Sequence, residues 1–267
     1  MNPSVPDWQQ RTAQLFGAEG MERLSRAHIL VVGVGGVGAY AAEMLCRAGI
    51  GEMTMVDADT VQLSNINRQL PATHATVGRQ KTDVMQARLL DINPALMLHA
   101  IPEYLTEEGV APLLDAAHYD FIVDAIDTIA PKCALIVEAH RRGIPIVSSM
   151  GAGAKSDITK VRFARLEDTY HCGLSKAVRT RLKKIVKTSD CRTSDCQPTA
   201  FQPEKRKPTD LLKTPVVFST EQADHAAIIA VGNERNKKST TGTVSYMPAV
   251  FGCYLAEYVI RQIVNLN

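Results

Sequence analysis

The run Gly33-Val34-Gly35-Gly36-Val37-Gly38 carries the most chemistry in its spacing. Glycines in such a run allow a tight turn and a close approach of backbone to a phosphate. If a helix begins at its end, the first N–H groups of that helix lack internal partners and point at the same phosphate. Asp57 follows 24 positions after Gly33, where a second strand would end beside the first and a carboxylate can accept hydrogen bonds from ribose hydroxyls. NAD and ATP both satisfy this pair of features. The stretch that follows, Asp57-Ala58-Asp59-Thr60-Val61-Gln62-Leu63-Ser64-Asn65-Ile66-Asn67-Arg68-Gln69, and then Val77-Gly78-Arg79-Gln80-Lys81, discriminates between them. A nicotinamide needs little cationic help at this place, whereas a triphosphate undergoing displacement needs Arg and Lys against its developing charge. Arg68 and Lys81 suit that role, although either residue type alone is commonly a plain surface cation.

The elements that would position these residues are legible from apolar patterning. Residues 27–33 are dense in β-branched side chains and read as a buried parallel strand; the alanine-rich residues 37–48 then favour a helix that Gly49 stops. A strand at 52–57, a helix at 81–92 ended by Asn93-Pro94, a strand at 97–101, a helix at 106–117, a strand at 121–126, a helix at 131–142 and a strand at 144–149 continue the alternation. That order predicts an α/β fold, a doubly wound Rossmann-like, largely parallel sheet with helices on both faces, whose strand C-termini share one rim. Beyond Gly151 the rhythm changes. A half-exposed strand at 160–166, a basic helix at 173–187, a mobile loop at 188–214, a strand at 215–221, a further polar loop and a terminal helix at 248–266 are expected. Residues 1–267 thus read as one α/β domain, with a nucleotide-binding core at 27–153 and a basic insertion at 155–214.

Composition narrows the class. With 267 residues, 45% apolar and 22% charged, the chain is neither disordered nor a disulfide scaffold. It has neither a greasy leader nor an apolar run long enough to span a membrane, so a cytoplasmic address is the default expectation. The formal charge of +2 hides an asymmetry: residues 155–215 hold 15 Lys or Arg against 7 Asp or Glu, a local +8 on a body of −6. Such a block suits a polyanion, because neutralising phosphates releases condensed counterions. A solvated helix face with a lysine-rich loop has the same signature.

The glycine run, the 57–69 stretch, TVGRQK at 76–81, INP at 92–94 and VDAIDT at 123–128 together resemble the ubiquitin-activating-enzyme-like (ThiF/MoeB) adenylating superfamily over roughly residues 11–153. The resemblance implies ATP and Mg²⁺ as cofactors, adenylation of a carboxylate, and a homodimer. Carried over by position, Gly33, Gly35, Gly36 and Gly38 line the nucleotide, Asp57 holds its ribose, Asp59 belongs to the same cofactor-binding set, and Asn65, Arg68, Gln69 and Lys81 contact the phosphates. Asp127 holds Mg²⁺, unless it is only a helix N-cap before Pro131-Lys132. Arg11 is the nearest candidate for an arginine that such dimers supply from the partner subunit. Catalysis would then rest on Asp127, Lys81, Arg68 and Arg11.

Relatives that activate sulfur carriers usually keep two Cys-x-x-Cys zinc pairs, and this chain has none; Cys191-x4-Cys196 with His171-Cys172 departs from common zinc spacings. The chain is more similar to the branch that dehydrates threonylcarbamoyladenosine in tRNA, by its length, by Gly-Ala-Gly at 151–153 and by VFSTE at 217–221. Members carrying a cysteine just before that string have Val216 replaced, so no thioester is expected here. On this reading tRNA bearing the modified base is the partner, a sulfur-trafficking accessory protein is a second one, and Lys176, Arg179, Arg181, Lys183, Lys184 and Lys187 are the candidate phosphate contacts. Adenylation of a ubiquitin-like carrier, an NAD-linked oxidoreductase and a non-catalytic nucleotide-binding scaffold are the alternatives.

Overall fold

A computed structural model describes residues 5–190, 208–234 and 237–265 of the chain. An N-terminal helix α1 (Gln10–Arg26) leads into β1 (His28–Val32), α2 (Gly38–Ala48), β2 (Glu52–Val56), α3 (Lys81–Ile92), β3 (Met97–Ile101), α4 (Val110–Asp115), β4 (Phe121–Asp124), α5 (Ile129–Arg142) and β5 (Ile146–Ser149). Then follow β6 (Val161–Arg165), α6 (Gly173–Asp190), β7 (Pro215–Ser219), β8 (Ile228–Glu234), β9 (Lys237–Thr241) and α7 (Tyr246–Val264).

Seven strands form one sheet in the order β3-β2-β1-β4-β5-β7-β6, parallel throughout except for β6, which runs antiparallel to β7. All residues of β1 and β4 are buried, as expected of strands covered on both faces. One core lies between the sheet and α1, α2, α3 and α7, with Ile29, Val31, Met53 and Met55 facing Leu45, Met85 and Phe251. The other lies under α4, α5 and α6, where Leu30, Val32 and Ile122 meet Ile136, Val178 and Leu182. Strand order reverses between β1 and β4, so the loops leaving these two strands diverge to opposite faces and leave a crevice between them.

The predicted elements in the first half are present, with one large change of length. Pro112 lacks an N–H and would clash with the carbonyl four residues back, so α4 begins only at Val110, where Pro112 falls in the first turn. The helix α1 was not anticipated, because only Gly20, Met21 and Leu24 of its 17 residues are buried. The region read as an insertion contributes to the main sheet: its β6 forms the outer edge, beside β7. The basic helix α6 runs on to Asp190, and 208–213 form a short 3₁₀ helix, so of the expected 188–214 loop only 191–207 lie outside the described residues. The further polar loop contains the β8–β9 hairpin. Among the described residues no helix is long and apolar enough to cross a membrane.

The C-terminal helix packs directly on α2. A Cβ added at Gly252 would come within 2.4 Å of the Val37 carbonyl oxygen and 2.7 Å of Tyr40 Cβ, so only glycine lets the two helices approach this closely. One turn earlier Pro248 lies against Gly36.

Candidate active site

The glycine run turns as tightly as its composition allows. Gly33 has φ +88°, its N–H donates to the Val56 carbonyl at 2.8 Å, and a Cβ on Gly38 would sit 1.8 Å from the Gly33 carbonyl oxygen. The loop therefore closes on itself between β1 and α2, which begins at Gly38. The N-terminus of α2 thus stands beside the crevice between β1 and β4.

Asp57, just past β2, holds this loop. Its Oδ2 accepts the Val34 N–H and its Oδ1 the Asp59 N–H, both at 2.8 Å. Each carboxylate oxygen can accept a second bond, so capacity for a hydroxyl remains. Burial pushes the Asp57 carboxyl above its ordinary value, opposed by the Lys81 ammonium and by these two N–H donors.

The two halves of the discriminating stretch clamp together. Thr60 and Gln80 form an antiparallel bridge, and the Val61 N–H donates to the Arg79 carbonyl at 2.8 Å. This carries Lys81, the first residue of α3, inward to 4% exposure, where its Nζ donates to Asp59 Oδ2 at 2.7 Å. Asp59 thus acts here as the partner of Lys81. Asn65 is buried and organises the next turn: its Oδ1 accepts the Gln62 N–H at 3.0 Å, and its carbonyl accepts the N–H groups of Arg68 and Gln69. The Arg68 guanidinium donates to the Ser64 carbonyl and to Asn67 Oδ1. Gln69 lies against Gly35, and its Oε1 is buried without a hydrogen-bond partner. An orphaned buried polar atom beside a phosphate-type loop marks a place prepared for a ligand rather than a finished core.

Across the crevice, Asp127 is exposed in the loop between β4 and α5. The N-cap of α5 is Thr128, so the alternative reading of Asp127 as the cap does not describe this structure. Beneath that loop sits an ion pair absent from the sequence reading. Lys132 Nζ donates to Asp124 Oδ2 at 2.7 Å with both side chains fully buried, Ser148 Oγ donates to the same oxygen at 2.6 Å, and the Ile126 N–H donates to Oδ1 at 3.1 Å. Asp124 thereby ties β4, β5 and α5 to the loop that bears Asp127. A signal was present: Lys132 lies on the stripe of Leu135, Ile136 and Ala139 that α5 buries, and a cation there requires a buried acid.

The far wall uses the two remaining motifs. The Glu221 carboxylate accepts the backbone N–H groups of Ser156 and Asp157 at 2.9–3.1 Å, which fixes the turn after Gly151-Ala152-Gly153. Gly153 packs on Thr241, and Asn67 Nδ2 donates to the Thr243 carbonyl at 2.9 Å, so the base of the β8–β9 hairpin meets the Arg68 turn. Val216 is wholly buried in β7.

The remaining candidates separate. On α6, Lys176, Lys183, Lys184 and Lys187 are exposed. Arg179 is turned inward, donating to the Thr169 carbonyl at 2.6 Å, and Arg181 is paired with Glu107; these two are engaged within the fold and leave the proposed phosphate-binding face to the four lysines. Arg11 is exposed at the start of α1. Neighbouring Gln9 lies against Gly49, at the rim where β2 begins, so this chain does not bring its own Arg11 to the crevice. Cys191 and Cys196 lie outside the described residues; Cys46, Cys133, Cys172 and Cys253 are unbridged, and burial pushes the Cys46 thiol up to about 11.

The model of the ThiF family matches residues 9–267. The tRNA threonylcarbamoyladenosine dehydratase of Bacillus subtilis (strain 168) is 43% identical over 174 residues, 65% of this chain and 68% of that protein. The protein of the same name from Escherichia coli (strain K12) is 40% identical over 188 residues, 68% of this chain and 70% of that protein. The crystal structure of the E. coli dehydratase TcdA in complex with ATP superposes with a TM-score of 0.79 at 33% identity, covering 98% of this chain and 97% of that one.

Proposed function

Because the chain belongs to the ThiF family, we propose that it activates the carboxylate of threonylcarbamoyladenosine in tRNA with ATP and so dehydrates it to a cyclic form. The observation that carries this reading is the joint placement, at the β1/β4 reversal, of a phosphate-type loop held by Asp57 and a buried lysine held by Asp59. The E. coli relative whose fold this chain shares binds ATP.

A carboxylate is a poor electrophile because its charge is delocalised. Attack of one carboxylate oxygen on the α-phosphate of ATP forms an acyl-adenylate and releases pyrophosphate. An internal nucleophile of the same modified base then displaces AMP, which carries away the former carboxylate oxygen; the net loss from the base is one water. The first step brings two anions together. Lys81 and Arg68 offset that repulsion, each such contact supplying on the order of a few kcal/mol in the transition state. Asp57 orients the ribose, and the α2 N-terminus faces the phosphates. Asp127 would hold Mg²⁺, a hard cation suited to carboxylate and phosphate oxygens, which supplies charge neutralisation at the reacting phosphate. Arg11 reaches the crevice of a partner subunit in a homodimer. The four lysines of α6 meet the tRNA backbone.

The deciding experiment is mass analysis of nucleosides from threonylcarbamoyladenosine-containing tRNA incubated with the protein, ATP and Mg²⁺. Loss of one water from that nucleoside is expected. Pyrophosphate exchange driven by a ubiquitin-like carrier and indifferent to tRNA would overturn the assignment, as would binding of NADH without ATP.

A further inference from the structure

Away from the crevice, side chains of three neighbouring strands converge. His28 opens β1 and Glu52 opens β2 as its register partner, while Thr54 of β2 pairs with His99 of β3. Register partners in parallel strands, and residues two apart, project from the same face, so His28, Glu52, Thr54 and His99 all stand on one side of the sheet. His99 Nε2 lies 2.8 Å from Glu52 Oε1, and His28 Nδ1 lies 3.6 Å from the same oxygen. One donor atom from each of the three residues lies within 4.8 Å of the other two.

The His99–Glu52 contact is a hydrogen bond as it stands, and the three ligand atoms are near enough to share one ion. Two ligands on a tetrahedral Zn²⁺, with bonds of about 2.0–2.2 Å, stand about 3.4 Å apart, and the 3.6 Å between His28 Nδ1 and Glu52 Oε1 lies close to that spacing. The other nitrogen of His28 is held 2.9 Å from Thr54 Oγ1, the kind of outer contact that fixes the ring of a metal-bound histidine. The Tyr119 ring, 4.7 Å from the His28 ring, closes the inner side. Side-chain exposure grades outward from 8% at His28 through 32% at Glu52 to 48% at His99, which leaves an open side for water as a further ligand.

We propose that His28 Nδ1, Glu52 Oε1 and His99 Nε2 form a binding site for a divalent transition metal of the zinc class. Two imidazoles and a carboxylate select such ions over Mg²⁺ and Ca²⁺. Binding breaks the hydrogen bond between His99 Nε2 and Glu52 Oε1, and the proton of the neutral ring then sits on Nδ1. The metal staples the edge strand β3 to β2 and β1. With β1 running five residues from His28 to Gly33 at about 3.3 Å each, the site lies roughly 16 Å from the nucleotide loop and takes no part in phosphate chemistry.

The test uses the full chain, stripped by a chelator and titrated with Zn²⁺ by calorimetry and with Co²⁺ by absorption. One Zn²⁺ per chain is expected, with a raised Tm with Zn²⁺ but not with Mg²⁺, and a Co²⁺ spectrum without a thiolate charge-transfer band. His99→Ala, at a half-exposed edge position, should weaken Zn²⁺ binding by at least about 10-fold while ATP–pyrophosphate exchange with Mg²⁺ stays unchanged; Glu52→Gln should do the same. Equal Zn²⁺ affinity in the parent chain and His99→Ala would overturn the site, as would the absence of saturable binding. A thiolate band would assign the metal to cysteines instead, and would overturn it equally.

Discussion

Lys81 and Asp59 form an ion pair of very unequal burial: the lysine side chain is 5% exposed and the carboxylate 68%. The aspartate holds the ammonium in place from the solvent side, and the cation is the member withdrawn toward the crevice. Lys81→Met leaves Asp59 in water, so unfolding free energy should change by less than about 1 kcal/mol. ATP–pyrophosphate exchange should fall about 10²–10³-fold, the usual loss of one preorganised electrostatic contact. Asp59→Asn should act more weakly and mainly through KM for ATP. An undiminished rate in Lys81→Met would remove the role given to that lysine.

The buried pair of Lys132 and Asp124 makes the opposite prediction for stability. Removing either partner alone, as in Lys132→Met, leaves an unpaired buried charge and should lower unfolding free energy by about 3–5 kcal/mol. Replacing both by apolar residues should restore much of it. Urea denaturation midpoints of the two single variants and the double variant decide the matter; additive losses would show that the pair is not coupled.

Acid sensitivity should centre on Glu43. Burial opposes ionisation of this carboxyl, yet hydrogen bonds from Arg88 and Arg47 outweigh it and hold the group below its ordinary value. A depressed folded-state pKa contributes stability that is present above the unfolded value near 4.5 and is lost as pH falls through the folded value. Arg88→Ala should cost about 1–2 kcal/mol at pH 7 and move the acid unfolding midpoint upward. A parallel, pH-independent shift would rule out linkage through Glu43.

On α6, the exposed and the engaged cations should behave differently. Each of Lys176, Lys183, Lys184 and Lys187 changed to Ala should flatten the dependence of log affinity for tRNA on log salt by about one unit if it meets a phosphate, with little effect on Tm. Arg179→Ala should lower Tm, since it strips bonds from the Thr169 carbonyl. Anisotropy titrations at several salt concentrations would expose the error if the lysine variants kept the parental slope.

Arg11 offers a test of subunit sharing. Chains bearing Arg11→Ala or Lys81→Ala alone should be inactive, whereas an equimolar, re-associated mixture should regain about a quarter of the parental rate, because half of its dimers carry one intact site. No recovery on mixing would argue against a contribution across the dimer.

The parts of the fold legible in sequence were those with strong period and clear stops. The strand–glycine–helix unit at Gly33, the helix ending at Asn93-Pro94 and the buried strands around Asp57 and Asp124 declare themselves by local pattern. The candidate site residues near them were nominated for the same reason. What escaped depended on distant partners. Helix α1 is mostly exposed and α4 was mis-sized because Pro112 limits its start. Lys132 escaped because its acid lies on a separate strand, and the inward turn of Arg179 was not legible because its acceptors, the Leu166 and Thr169 carbonyls, become adjacent only when the chain turns before α6.

The contact of Pro248 and Gly252 with the α2 entrance has a consequence for synthesis. The residues that cradle the nucleotide leave the ribosome early, but the surface they rest on is made some 200 residues later, in α7. A nascent chain that stops before Tyr246 therefore exposes the apolar side of α2 and has an unbraced phosphate loop. Nucleotide binding should become competent only once the last helix has emerged and docked.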